Sequence, residues 1–194
     1  MASSFEIKST RPSVGETIVT IVRDHIDYRK QIFKLAGSDL RRTYRASALG
    51  WSWAIIKPLV TIFVYWFAFA VGLRRGGDIE GYPFVLWLIS GIVPWFYMSE
   101  MLTLGTECIL RNRYLVTKMK YPVSTIPTFT SISKFSVHLI LMMITILIFV
   151  ITGNELTIYL VQLPFYMMCN FLFFTGWAMF AAPIAAISTD FSNL

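Results

Sequence analysis

The sequence contains few residues whose type and spacing would suit catalysis. It has no GxxxxGK(S/T) loop to hold nucleotide phosphates, and no HExxH, CxxC or GxSxG motif. His25 and His138 have no metal or nucleophile partner nearby in the sequence, and Cys108 and Cys169 form neither a disulfide framework nor a metal cluster. We therefore expect that this chain is not an enzyme and binds no cofactor itself.

Three charged residues interrupt long apolar runs and are candidates for a polar path through a membrane. Lys57, Glu100 and Lys134 each fall inside such a run, where a charge is costly and usually faces the protein interior. They could pair with one another or line an entry path, and extension of each charged group to nearby water at the membrane surface is an equal alternative. Aromatic side chains stack well on sugar rings, so a path lined by aromatic residues would suit a sugar polymer. Contact with lipid is the alternative explanation for each single aromatic residue. The resulting candidate substrate path comprises Lys57, Tyr65, Trp66, Trp95, Phe96, Tyr97 and Glu100.

The segment RNRYLVTKMKYP, residues 111–122, is both basic and half apolar, and it lies between two long hydrophobic runs. A simple turn between two membrane helices needs only a few polar residues. A dozen residues with four cations and the apolar Leu115, Val116 and Met119 suggest an amphipathic docking surface. The alternative is a basic loop that rests on lipid headgroups.

The composition and the apolar runs predict an all-α membrane protein with four transmembrane helices. Of the 194 residues, 56% are hydrophobic and only 14% charged, and the mean hydropathy is +0.61, whereas soluble domains carry about 25% charge. Apolar runs of roughly 20 residues, enough to cross a bilayer, occupy 51–73, 82–105, 132–152 and 156–187. The last run exceeds a bilayer thickness, so we expect it to tilt strongly or to break, at Gly176 or Pro183.

The distribution of positive charge predicts the orientation. Cations precede the first span and fill the connection between the second and third spans, whereas the other connections offer only Arg74 and Arg75, with the acids Asp78, Glu80 and Glu155. We therefore expect a multi-pass protein of the cytoplasmic membrane with its N-terminus in the cytosol. The net charge of +6 is then that of ordinary cytosolic loops, and we expect no nucleic-acid partner.

A basic amphipathic helix is predicted immediately before the first span. Lys30, Lys34, Arg41 and Arg45 share one helix face. The opposite face carries Tyr28, Ile32, Leu35, Ala36 and Leu40. Such a helix lies at the membrane interface with its apolar face in lipid. We interpret residues 1–27 as a loosely ordered cytosolic tail and 28–194 as the transmembrane domain.

Three segments resemble the polysaccharide-exporting permeases of type-2 ABC transporters. DLRRTYRASALGWSWAIIKP, starting at Asp39, is similar to the family's approach to its first span, although many members have Asn where this chain has Lys57. GIVPWFYMS, starting at Gly91, and LVTKMKYPVSTIP, starting at Leu115, are similar to the family's second-span and loop patterns. The stretch starting at Val64 looks closest to the branch that exports wall teichoic acids.

The resemblance implies a permease that works as a homodimer with separate cytosolic ATPase subunits, which bind the ATP. Its expected substrate is a lipid-linked polysaccharide or teichoic acid, moved across the cytoplasmic membrane. The loop between the second and third spans would form a coupling helix that docks on the ATPase. The candidate docking residues are Cys108, Arg111, Leu115, Val116, Lys118 and Met119. Family members usually have about six spans, so we expect a truncated product of a six-helix permease.

Three other functions remain open at the level of the sequence. A type-2 permease for small lipophilic compounds often carries a large extracellular domain, which this chain lacks. A non-transporting scaffold with four spans would have no ATPase partner. A membrane-embedded glycosyltransferase would need acidic residues on a loop, and the predicted external loops offer only Asp78, Glu80 and Glu155.

Overall fold

The computed structural model describes residues 13–45, 49–72, 77–79, 81–119, 121–154 and 157–188. This part of the chain is built from α-helices joined by short turns, and it contains no named strand. The helices are α1 (Val14–Asp27), α2 (Arg29–Tyr44), α3 (Trp53–Trp66), α4 (Phe84–Glu100), α5 (Cys108–Arg111), α6 (Arg113–Met119), α7 (Ile126–Ile151) and α8 (Leu163–Ile187).

Four continuous helical stretches are long and apolar enough to cross a membrane, which confirms the predicted fold class. They are Gly50–Gly72, Phe84–Gly105, Val123–Ile151 and Ile158–Ile187, and they contain α3, α4, α7 and α8. Both ends of the first and second stretches lie within a few residues of the predicted ends. The third stretch begins at Val123, well before the predicted start near Ile132, because its first turns contain serines and threonines that hid them from a search for apolar runs.

Those polar residues are buried, and they place α7 at the centre of the fold. Thr130, Ser131 and Ser133 are inaccessible to solvent, and α7 packs against α2, α4 and α8. The small residues Ala178, Ala181, Ala182 and Ala185 form the buried side of α8. Small side chains allow helices to approach closely, which is how membrane helices gain packing energy.

The fourth stretch has no break at Gly176 or Pro183, so of the two predicted alternatives the break is excluded and the tilt stays a prediction. α8 is continuous through both residues. The change of geometry comes earlier, where a 3₁₀ turn at Ile158–Gln162 passes into α8 just before Pro164. Proline suits the first turn of a helix because its missing N–H has no partner there in any case.

The two helices before the first span correct two expectations. Residues 14–27 were expected to be loosely ordered, but they form α1, whose N-terminus is closed by a reciprocal Ser13–Glu16 capping box. α2 is present as predicted, yet Ile32 and Ala36 on its apolar side are buried against Phe129 of α7 and its neighbours rather than exposed to lipid.

Several predicted features lie outside the described residues. They are the charged residues Arg74, Arg75, Glu80, Lys120 and Glu155. The cytosolic orientation that rests partly on these charges stays a prediction.

Candidate functional sites: the 106–122 connection and a polar cavity

The connection between the second and third spans consists of two short helices joined at Asn112. The Asn112 side-chain amide donates to the carbonyl of Cys108 over 2.9 Å, which ends α5. The amide N–H of Leu115 donates to the carbonyl of Asn112 over 2.9 Å at the start of α6. Arg42 of α2 donates to Asn112 Oδ1 at 3.4 Å, and its guanidinium lies 5.9 Å from the ring centre of Tyr114. The connection therefore has a defined backbone conformation and is anchored to α2.

The inner side of this connection belongs to the protein core. Cys108 and Leu115 are 1% and 2% exposed and pack with Ile126 and Ala182. Burial raises the pKa of the Cys108 thiol to about 12, so this thiol is neutral at physiological pH and serves packing rather than chemistry. Val116 is half buried against the same cluster.

The predicted apolar docking ridge of Cys108, Leu115, Val116 and Met119 is therefore corrected. Met119 is 67% exposed, whereas Cys108 and Leu115 face inward. The prediction assumed one continuous helix. In the structure Asn112 divides the segment into α5 and α6, and its apolar side packs against α7, so that side is not available to a partner protein. Among the described residues, the exposed side carries Leu110, Arg111, Arg113, Tyr114, Thr117, Lys118 and Met119. We call Leu110, Arg111, Tyr114, Lys118 and Met119 the outer face.

Leu110 and Tyr114 were missed as candidates, and so were the positioning residues Arg42 and Asn112. An asparagine within an amphipathic helical pattern is a signal for a helix end, and it could have revealed the division. The ion pair between Arg111 and Glu107 is 4.0 Å long, and both side chains are close to half exposed, so it contributes little to stability.

The basic side of α2 is open to the surroundings. Lys30, Lys34, Arg41 and Arg45 are all exposed. The apolar residues of the opposite side are covered by the protein. This contrast in exposure agrees with the predicted shared face of the four cations.

A second group of candidates surrounds a cavity between α3, α4 and α7. Four predicted path residues line it: Lys57, Phe96, Tyr97 and Glu100. Lys134 also lines the cavity, and its Nζ lies 3.8 Å from Glu100 Oε2, so the predicted pairing of these two charges is present. Tyr65, Trp66 and Trp95 do not line this cavity. Tyr65 and Trp95 are exposed on the outside of the helices, and their role in a path stays a prediction.

Tyr97 is fixed by a hydrogen-bonded chain that links three spans. Its hydroxyl lies 2.8 Å from Ser131 Oγ, which lies 2.6 Å from Thr175 Oγ1. The Thr175 hydroxyl donates to the carbonyl of Phe171 over 2.7 Å. His138 packs beside Tyr97 with ring centres 5.5 Å apart. Oδ1 of Asn170 in α8 has no hydrogen-bond partner among the described residues.

The family model and the relatives that match this chain agree with one another, since both describe transport proteins. Residues 30–194 match the family model described as ABC-2 type transporter. An O-antigen export system permease protein RfbA from Myxococcus xanthus is 30% identical over 130 residues, which are 66% of this chain and 48% of that protein. A protein of the same name from Klebsiella pneumoniae is 28% identical over 93 residues, which are 48% of this chain and 34% of that protein. The chain thus matches about half or less of the length of these relatives.

Proposed function

Because the chain belongs to the ABC-2 type transporter family, we propose that it forms the membrane part of an ATP-driven exporter for a lipid-linked surface polysaccharide. The observation that carries the proposal is the family match over residues 30–194. Two relatives are named for O-antigen export, which supports a polysaccharide as the substrate class. A wall teichoic acid remains a narrower prediction within that class.

In the proposed mechanism a separate cytosolic ATPase drives the permease through the outer face. Leu110, Tyr114 and Met119 give this surface apolar contacts, and Arg111 and Lys118 flank them with positive charge. Such a surface suits docking of a short helix in a groove of a partner protein. Because the inner side of the same connection is packed on α7, a movement of the docked ATPase would be transmitted directly to the third span.

We propose that two copies pair through α3. The first stretch has little contact with the rest of its own chain, and Leu59 and Phe63 of α3, with Phe67 directly after it, are exposed on one side. Movement of the two α3 helices relative to one another would then open a path for the polymer. The N-terminus and the 106–122 connection are assigned to the cytosol in this arrangement, as the charge distribution predicts.

The docking role is tested by copurification of the chain with its ATPase. Met119→Asp places a charge on the outer face without disturbing the core, and Tyr114→Asp adds one there while it also removes the ring beside the Arg42 guanidinium. We expect at least a tenfold loss of bound ATPase for each, because an unpaired buried charge is costly at an interface. Met119→Leu should retain binding. Thr20→Asp adds the same charge at an exposed position of α1 and controls for charge alone.

Leu115→Asp is unsuitable for this test because Leu115 is buried in the core of the chain, and its loss of binding would reflect unfolding. Wild-type ATPase binding by both Met119→Asp and Tyr114→Asp would contradict the docking role. Export itself is measured as polymer at the cell surface in the complete transporter, and normal export without ATP hydrolysis would contradict the proposed function.

A further inference from the structure

An apolar cavity lies between α4, α7 and α8, in the membrane-spanning part of the chain. Its volume is about 500 Å³, which is within the range of about 300–1,000 Å³ that pockets for drug-sized ligands have. Most of the lining is apolar and includes Met98, Met142, Met167, Phe173 and Phe174. None of the lysines, arginines, aspartates and glutamates that the structure describes lines it. A suitable occupant is therefore uncharged and mostly apolar.

Two polar atoms of the lining have no hydrogen-bond partner among the described residues. They are Nδ1 of His138 and Oδ1 of Asn170. His138 is only 3% exposed, and both residues lie near the middle of their stretches, Val123–Ile151 and Ile158–Ile187. Lipid tails offer no hydrogen bonds at that depth, so unpaired polar groups are costly there. The two atoms therefore require a polar group on the occupant.

The cavity continues along α7 toward the C-terminal end of that helix. It shares Pro94, Met142 and Leu163 with a second cavity of about 290 Å³, which reaches Phe149. His138 and Phe149 lie about 16 Å apart along α7, at 1.5 Å per residue. An extended alkyl chain of a dozen carbon atoms has a similar length. The two cavities together therefore fit a polar group at the middle of the membrane and an apolar chain that extends toward the membrane surface.

A phospholipid of the bilayer has the opposite arrangement. Its headgroup lies at the membrane surface and its chain ends lie at the middle, so it would place methyl groups beside His138 and Asn170. A hydroxyl group both donates and accepts a hydrogen bond, so it can serve an amide oxygen and an imidazole nitrogen. We propose that the cavity binds an uncharged long-chain alcohol, with the hydroxyl group at His138 and Asn170 and the chain along α7 toward Phe149.

The alcohol site does not depend on the proposed export function. Among the described residues, it shares only His138 with the cavity that Lys57, Glu100 and Lys134 line. An alcohol bound here contacts α4, α7 and α8 and does not enter that charged cavity. Its binding is measured on the chain without an ATPase and without a polymer, so either idea can fail while the other stands.

The test is photolabelling of the chain in phosphatidylcholine vesicles. Two probes are dodecan-1-ols that carry a diazirine, one on the third carbon from the hydroxyl group and the other on the eleventh. Mass spectrometry of the digested chain locates the attachment. We expect the first probe to label residues around Met167 and Asn170, and the second to label residues around Phe149.

Competition by unlabelled compounds identifies the hydrogen bond. Dodecan-1-ol donates and accepts, dodecyl methyl ether only accepts, and dodecane does neither. Only the alcohol satisfies Oδ1 of Asn170, because that oxygen accepts and does not donate. Expressed as mole fraction in the membrane, the amount of dodecan-1-ol that displaces half of the probe should be about fivefold lower than that of either other compound.

Substitutions then locate the site. Asn170→Leu removes the unpartnered oxygen at little cost to folding and should reduce the advantage of dodecan-1-ol over dodecane to less than about twofold. Gln162→Leu removes an exposed amide outside both cavities and is its matched control. Met167→Trp fills the cavity and should reduce labelling about tenfold, because a packed site resists a further group. Its neighbour Met168 is 57% exposed and does not line the cavity, so Met168→Trp should label like the wild type.

Four results would overturn the proposal. Equal displacement by dodecane and dodecan-1-ol would mean that the hydroxyl group is not recognised. Labelling of Phe149 by the first probe and of Met167 by the second would mean that the chain lies in the orientation of an ordinary lipid. Unchanged labelling in both Asn170→Leu and Met167→Trp would place the alcohol elsewhere. Loss of labelling as the ratio of protein to lipid rises would assign the cavity to a second copy of the chain.

Discussion

The first and third membrane-spanning stretches are similarly apolar but differ in their packing. Gly50–Gly72 has a mean hydropathy of 2.0 with 11% of its apolar stretch buried, and Val123–Ile151 has a mean hydropathy of 2.4 with 28% buried. The buried side of α7 carries serines, threonines, a lysine and a histidine, whereas the polar side chains of α3, apart from its tryptophans, are Lys57, Thr61 and Tyr65. Hydropathy therefore identifies a span, and polar residues on one face identify the span at the centre.

This difference has a physical basis. Lipid tails are as apolar as a leucine side chain, so membrane helices gain little by hiding apolar residues from lipid. Close packing and interhelical hydrogen bonds decide instead which helix lies inside. α7 offers both, through buried Ser131 and through its contacts with α2, α4 and α8.

The largest expected difference is between two phenylalanines. Phe129 of α7 is 1% exposed, and Phe63 of α3 is 59% exposed. Phe129→Ala should lower the free energy of unfolding by about 3 kcal/mol because it leaves a cavity in a packed cluster. Phe63→Ala should change it by less than about 0.5 kcal/mol.

Both variants are measured by thermal or denaturant unfolding of the monomeric chain in the same detergent. Equal losses would show that α3 is as central as α7, which would end the comparison. A loss for Phe63→Ala that appears only when two copies associate would support α3 as the pairing surface.

The next effect concerns the approach of the second span to α8. A Cβ atom at Gly105 would lie 3.0 Å from Met101 Cε and 3.3 Å from Ala178 Cβ, whereas a Cβ atom at Gly91 meets nothing within 4 Å. Gly105→Val should therefore cost about 1–3 kcal/mol through overpacking, and Gly91→Val much less. Unfolding in detergent compares the two variants. A similar stability for both would mean that Gly105 does not govern this contact.

The sequence was sufficient for the fold class and for part of each site. Long apolar runs defined four spans, and the charges inside them left pairing open as one of two alternatives, of which the structure shows the Glu100–Lys134 pair. Both inferences depend on properties of single residues and their distance along the chain. The spacing of Ile32 and Ala36 likewise indicated that α2 is amphipathic.

Periodicity does not, however, reveal what covers an apolar face. α2 and the 106–122 connection both looked as if their apolar sides faced lipid or a partner protein, but they cover α7 and each other. The exposed position of Met119 and the buried position of Leu115 depend on the division at Asn112, which Arg42 of a different helix helps to fix. Such long-range contacts could not be read from the spacing of residues.

A smaller effect is expected from the hydrogen-bonded chain across the centre. Thr175→Val keeps the shape of the side chain but removes the hydroxyl that lies between Ser131 and the carbonyl of Phe171. The expected loss is about 0.6 kcal/mol, the usual value for a hydrogen bond between membrane helices. Thr61→Val on α3 removes a hydroxyl that bonds only to its own helix, at the carbonyl of Lys57, and should have no measurable effect on unfolding. A loss for Thr61→Val as large as that for Thr175→Val would mean that the chain across the centre adds nothing specific.

The last expected effect concerns chemical reactivity and not stability, at the thiol of Cys108 beside α7. Burial raises the pKa of Cys108 from 9.0 to about 12, so its thiolate fraction near pH 8 is about a thousandfold lower than that of an ordinary cysteine. Because the thiolate is the reactive form, Cys108 should resist a water-soluble maleimide, with labelling rising about tenfold per pH unit until the pKa is approached. Cys108 is measured in a Cys169→Ala background because Cys169 is exposed. Met119→Cys, measured with both Cys108 and Cys169 replaced by alanine, adds a thiol at an exposed position of the same connection and should react at the ordinary rate. Fast labelling of Cys108 at neutral pH in the folded chain would show that the inner side of α5 leaves α7, and the separation between the core and the outer face would then be wrong.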